Sequence, residues 1–171
     1  MQKVNFIKMH GLGNDFVIID KRFTNLDITK ELINKLSDRK SGAGCDQLIT
    51  INSNSNDYID ANIKIFNPNG DVAEACGNGT RCIARLLFSE TKKNELKILS
   101  DSGILHAKKI DELNISVNLG KLSCEWDKIP LSKNIDTLNI PLDIDGFGNG
   151  VAVNIGNPHV VFFGKNISEV N

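Results

Sequence analysis

Apolar residues recur along this chain with two periods. From Asp27 to Lys40 (DITKELINKLSDRK), Ile28, Leu32, Ile33 and Leu36 fall at helical spacing behind Asp27 or Thr29, either of which can act as N-cap. From Arg81 to Phe88, Ile83, Leu86 and Leu87 share one face while Arg81 and Arg85, four apart, share another. That spacing predicts a helix from about Asn78 to Glu90. Elsewhere the apolar runs are short. Residues 3–10 (KVNFIKMH), 15–20 (DFVIID), QLITIN, 59–66 (IDANIKIF), ELKILSDSG, ILHAKKI and LNISVNLG all read as strands bounded by turn residues. GLGN joins the first two as a turn, with Gly11 and Gly13 supplying permissive backbone. Residues 121–141 hold Trp126, Pro130 and Pro141 and little periodicity, as expected of a crossing between domains. GVAVNIGNPHVVFFG then reads as two strands broken by NPH.

This order of strands, helix, strands, helix, strands predicts an α+β fold, with a mixed or antiparallel sheet around few helices, rather than alternating α/β. The expected division is a first domain over residues 1–120 and, over residues 121–171, a crossing segment and the start of a second domain. Fifty residues are marginal as an independent fold.

Composition narrows the function classes. With 20 basic against 21 acidic residues and a net charge of -1, nothing calls for nucleic acid or an anionic membrane as partner. No apolar run approaches the roughly 20 residues that span a bilayer. MQKVNFIKMHG lacks the uninterrupted apolar stretch of a signal peptide, so a cytoplasmic location is expected. Cys45, Cys76, Cys82 and Cys124 match no zinc-ligand spacing and are read as thiols, with no metal expected.

The chemistry concentrates in ACGNGTRC, Ala75 to Cys82. Two glycines within three residues belong at a helix edge, because each costs roughly 1 kcal/mol inside one. At that edge Gly77, Asn78 and Gly79 expose free backbone N–H groups at the positive end of the helix, which suits a carboxylate or phosphate and stabilises a neighbouring thiolate. Cys76 is thereby a candidate base; a small buried cysteine is the competing reading, and for Cys82 it is the preferred one.

ACGNGTRC resembles the first catalytic-cysteine motif of the diaminopimelate epimerase family. MHGLGNDF (Met9 to Phe16), GCDQL (Gly44 to Leu48), IFNPNG (Ile65 to Gly70) and IGNPH (Ile155 to His159) are similar to the family's other motifs and occur in its order. The resemblance implies a cofactor-independent, two-base interconversion of LL- and meso-diaminopimelate in lysine biosynthesis. One cysteine thiolate removes the α-proton and a thiol on the opposite face returns one. It makes Cys76 the first acid/base residue and His159 a residue supporting catalysis. Gly77 and Asn78 become contacts to the carboxylate at the reacting centre, and Asn14, Gln47, Asn67 and Asn157 contacts to the substrate's polar groups. It also implies cytoplasmic homodimers and two similar domains, each a curved sheet wrapped around a central helix.

The family's second cysteine motif, Gly-rich and preceded by a Glu-Arg pair, has no counterpart here; Cys124 in LSCEWD and Cys45 in GAGCDQ do not resemble it. The second domain is therefore expected to be incomplete and the 171 residues alone to be inactive. A remnant that binds substrate weakly or not at all, and another racemase or isomerase of the same superfold, are the alternatives.

Overall fold

A computed structural model describes residues 4–73, 75–141 and 146–164. It divides into two compact units, Met1–Leu119 and Gly120–Asn171.

The first unit is built on one mixed sheet. Its strands are β1 (Ile7–Gly11), β2 (Asn14–Asp20), β3 (Gln47–Asn52), β4 (Ala61–Phe66), β5 (Val72–Ala73), β6 (Glu95–Ser100), β7 (Gly103–Lys109) and β8 (Ile115–Asn118). They lie in the order β1-β2-β3-β4-β6-β7-β8, with the short β5 beside β4. The β2/β3 and β4/β6 pairs are parallel and the other pairs antiparallel. Two helices cover the sheet, α1 (Lys30–Ser37) and α2 (Gly77–Glu90).

Alternation along the strands sorts the apolar side chains into two cores. Phe16, Ile18, Ile49, Ile51, Ile63, Ile65 and Ile98 pack against Ile83, Ala84, Leu87 and Phe88 of α2. Val17, Ile19, Leu48 and Phe66, from the opposite face, pack with Ile33 of α1, and Leu32 and Leu36 border them. Both edge strands, β1 and β8, touch α2. Seven strands about 4.8 Å apart would span about 29 Å if flat, against about 10 Å for a helix, so the sheet has to curl around α2. The expected α+β class and the curved sheet around a central helix are thus observed.

Boundaries shift in instructive places. Thr29, not Asp27, caps α1, its Oγ1 accepting from the Leu32 N–H (3.2 Å). The β1–β2 loop is the two residues Leu12 and Gly13, at φ 54° and 88°, a conformation that matches the twist of a hairpin. Gly11 therefore does not supply the turn. It is a strand residue paired with Asn14, and a Cβ there would lie 3.2 Å from the Asn78 carbonyl oxygen. Its missing side chain is what lets β1 approach the start of α2. The expected strand over residues 3–10 begins on Lys3, outside the described residues. β5 was not legible as a strand.

The second unit holds a two-stranded antiparallel sheet, β9 (Val151–Asn154) and β10 (Pro158–Val161), and a single turn of 3-10 helix at Trp126–Lys128. Its core is small: Ile129, Ile140 and Ala152 are buried, with Leu131 and Ile135 against them. The break between the strands is Ile155 to Asn157. Pro158 and His159, read as part of that break, belong to β10, because Asn157 already turns the chain by returning its carbonyl to the Ile155 N–H (3.2 Å).

Candidate active site

Cys76 is the N-cap of α2. Its backbone is extended, its carbonyl accepts from the Thr80 N–H (2.9 Å) and Thr80 Oγ1 (2.9 Å), and its Sγ accepts from the Gly79 N–H (3.4 Å). The thiol therefore occupies the position usually taken by a serine or aspartate oxygen at a helix start. Such a cap places sulfur against the positive end of the helix dipole. Gly79 is buried because the helix lies directly on the sheet there: an added Cβ would stand 2.6 Å from Ile49 Cδ1 and 3.3 Å from the Phe16 ring. Gly77 and Asn78 head the first turn, where backbone N–H groups have no partner within the helix.

A second donor reaches the sulfur from the sheet. Asn14, the first residue of β2, directs Nδ2 at Cys76 Sγ across 3.9 Å, a long N–H···S contact. This leaves Asn14 Oδ1 buried without a partner. On the neighbouring strand Gln47 donates from Nε2 to Asn67 Oδ1 (3.1 Å), leaving Gln47 Oε1 buried and unpaired as well. Buried acceptors left unpaired are costly and uncommon, so two of them at the ends of adjacent strands need an explanation. Arg81, one turn into α2, donates to Asn78 Oδ1, so the carbonyl side of that amide is occupied.

The first unit thus brings together Asn14, Gln47, Asn67, Cys76, Gly77 and Asn78. Their polarity is mixed: two free acceptor oxygens, amide NH₂ groups on Asn67 and Asn78, and helix N–H groups. Asn157 and His159 lie in the second unit, His159 exposed on β10 with Nδ1 3.0 Å from the Asn157 carbonyl oxygen. Of the other thiols, Cys82 is buried among apolar side chains, and burial pushes its titration up. Cys45 is buried against Ser37. Concavity alone does not mark this cluster: a cavity of about 650 Å³ lined by Tyr58, Lys97 and His106 shares no residue with it.

Two features were missed in the sequence. The i, i+3 spacing of Asn78 and Arg81 on a helix could have indicated their pairing. The contact between Asn14 and the sulfur joins residues 62 apart in sequence, and no local signal encodes it.

The family model described as diaminopimelate epimerase matches residues 6–124. The chain belongs to the diaminopimelate epimerase family. A diaminopimelate epimerase of Pelagibacter ubique is 44% identical over 165 residues, which are 94% of this chain and 59% of that protein. One of a Wolbachia species is 43% identical over 170 residues, 97% of this chain and 61% of that protein. The chain therefore spans about three fifths of the length of these curated family members. Solved structures share the fold at lower identity. A phenazine biosynthesis protein of the PhzF family from Bacillus anthracis superposes with a TM-score of 0.63 at 19% identity, covering 96% of this chain and 57% of that one. A hydroxyproline epimerase from Agrobacterium vitis does so with a TM-score of 0.61 at 10% identity, covering 91% and 50%. At these identities the likeness is one of fold alone. No helix among the described residues is long and apolar enough to cross a membrane.

Proposed function

We propose that this chain carries one half of a diaminopimelate epimerase site, with Cys76 as one of the two acid/base groups that exchange the α-proton of diaminopimelate between its LL and meso isomers. The observation that carries the reading is the pair of buried, unpaired amide oxygens, Asn14 Oδ1 and Gln47 Oε1, at the strand ends behind a thiol that caps α2. A zwitterionic amino acid supplies what this cluster lacks. Its ammonium groups donate to the two oxygens, and its carboxylates accept from the Asn67 and Asn78 amides and the first-turn N–H groups.

The chemistry follows from the same arrangement. Removing the α-proton leaves negative charge that spreads onto the adjacent carboxylate. Fixed N–H donors of Gly77 and Asn78 stabilise that charge as it develops. The Cys76 thiolate, held by the Gly79 N–H and the Asn14 amide, takes the proton on one face. Inversion needs a second proton source on the other face, and no residue of this chain is assigned to it. The 171 residues by themselves therefore bind without epimerising. By family resemblance Asn157 is a substrate contact and His159 a residue supporting catalysis, and the family's members are cytoplasmic homodimers serving lysine biosynthesis.

Titration of the ¹⁵N-labelled chain with LL-diaminopimelate tests the reading. The side-chain amides of Asn14, Gln47 and Asn67 and the backbone N–H groups of Gly77 to Gly79 shift and saturate. L-lysine, which lacks the second carboxylate, shifts them less at equal concentration. Unmoved signals, or equal shifts with both ligands, overturn the proposal.

A further inference from the structure

Behind the sheet, one residue away from each unpaired amide, stands a cluster of charges. Asp15 follows Asn14 and Asp46 precedes Gln47, so alternation turns both carboxylates away from the α2 face. The two residues bind reciprocally. The Asp15 N–H donates to Asp46 Oδ2 (2.9 Å), and the Asp46 N–H donates to Asp15 Oδ1 (3.0 Å) and to the Asp15 carbonyl (3.0 Å). Arg39 forks across both: Nη1 and Nη2 meet the Asp15 oxygens at 3.1 and 2.7 Å, and Nη2 also meets Asp46 Oδ1 at 2.7 Å. Lys8 of β1 adds a contact to Asp15 Oδ2 at 2.9 Å. Arg39 is itself held in place, since it follows the C-cap of α1 and its Cα lies 3.1 Å from where a Cβ on Gly44 would be, at a φ of 70° that suits glycine.

Exposed ion pairs add little to stability, and the Arg39 and Asp46 side chains are 57% and 47% exposed. A planar fork bridging two carboxylates, by contrast, fixes geometry. It fixes it where the parallel β2/β3 ladder begins, at Phe16 opposite Gln47. We propose that Arg39, through Asp15 and Asp46, is a positioning residue that sets the placement of Asn14 and Gln47 on the other face of the sheet, and through Asn14 the donor to the Cys76 sulfur. The inference rests on the reading of Asn14 and Gln47 as site amides, but its test needs no substrate.

The test is the rate of iodoacetamide alkylation at Cys76 at pH 7, resolved by peptide mass spectrometry, in Arg39→Gln, Asp15→Asn and the milder Asp46→Asn. Asn14→Ala serves as the reference for losing the donor itself. Arg22→Gln, which opens the separate Asp20–Arg22–Glu90 network, serves as a destabilised control. If the clasp positions Asn14, all three clasp variants slow alkylation in the same direction, by about threefold, as loss of one hydrogen bond to the sulfur would. Adding Asn14→Ala to any of them slows it no further, and Arg39→Lys, which keeps the charge but not the fork, does not restore the rate. A through-space charge effect would slow Arg39→Gln and speed the two aspartate variants. A merely structural role would lower Tm, as Arg22→Gln does, with the rate unchanged. Either of those results overturns the proposal. Failure of diaminopimelate to bind would count against the function proposed above and leave this result standing.

Discussion

The two units of the chain differ in how their elements are held. In the first, α2 is enclosed by a sheet whose two edge strands both touch it, and isoleucines at full burial fill the space between. In the second, three buried apolar residues among those described support a hairpin whose strand β10 is exposed along its whole length. The candidate site follows this division. Asn14, Gln47, Asn67 and Cys76 each sit at the end of an element anchored in the large core, so their side chains are defined to within a hydrogen bond. His159 and Asn157 sit on or beside β10, where a bond to a neighbouring carbonyl is what orients the ring. A site that must meet a reacting carbon needs the first kind of support, since small misplacements cost large factors in rate.

The largest effect that can break this contrast is on stability. Ile83 is fully buried between α2 and the sheet. Ile83→Ala is expected to cost about 3 kcal/mol in urea unfolding followed by circular dichroism. Ile140→Ala, in the small core, is expected to cost less than half as much, because a shallow cluster collapses more readily around a lost side chain. Trp126 is the chain's one tryptophan and lies in the second unit, so its fluorescence follows that unit. Its transition is expected to precede the one seen by circular dichroism. Coincident transitions in the parent chain would mean the two units share one cooperative core.

A smaller effect sharpens the comparison through pH. The Arg39 guanidinium beside Asp15, helped by Lys8, holds the Asp15 carboxyl well below the usual carboxylate range. Because the folded value lies below the unfolded one, about 3.9, the stabilisation is fully present above that pH and is lost as pH falls through the folded value. The first unit's urea midpoint should therefore stay level from pH 7 to about 4 and drop below it. Asp15→Asn should lower the plateau and flatten the drop; an unchanged profile in that variant would show that other carboxylates govern the acid limb.

Legibility in the sequence followed the range of the interactions. Periodicity revealed α1, α2 and most strands, because burial on one face leaves its mark on the chain itself. The pair of glycines after Cys76 revealed the helix start, and the thiol's capping role follows from it. Gly11 misled, since a glycine beside a turn looks like a turn residue; its reason is the close approach of Asn78, which only the fold brings there. His159 was read as part of a break because Asn-Pro punctuates chains, yet proline is tolerated at the first position of an edge strand. The clasp of Arg39 with Asp15 and Asp46 was invisible because its partners lie 24 and 7 residues away in sequence and charged residues are common on any surface. Each amide of the site, taken alone, was an ordinary turn asparagine or strand-end glutamine. What distinguishes Asn14 and Gln47 is an oxygen buried with nothing to accept, and that is a property of the folded chain.

The central claim is that the cluster around Cys76 receives diaminopimelate. It is tested most directly by alkylating the chain with iodoacetamide at pH 7 in rising LL-diaminopimelate and measuring Cys76 and Cys124 separately by peptide mass spectrometry. Cys76 modification is expected to slow at least tenfold and to saturate with ligand, while Cys124 continues at its own rate, and Asn14→Ala is expected to weaken the protection. Alkylation of Cys76 at an undiminished rate in saturating ligand would contradict it.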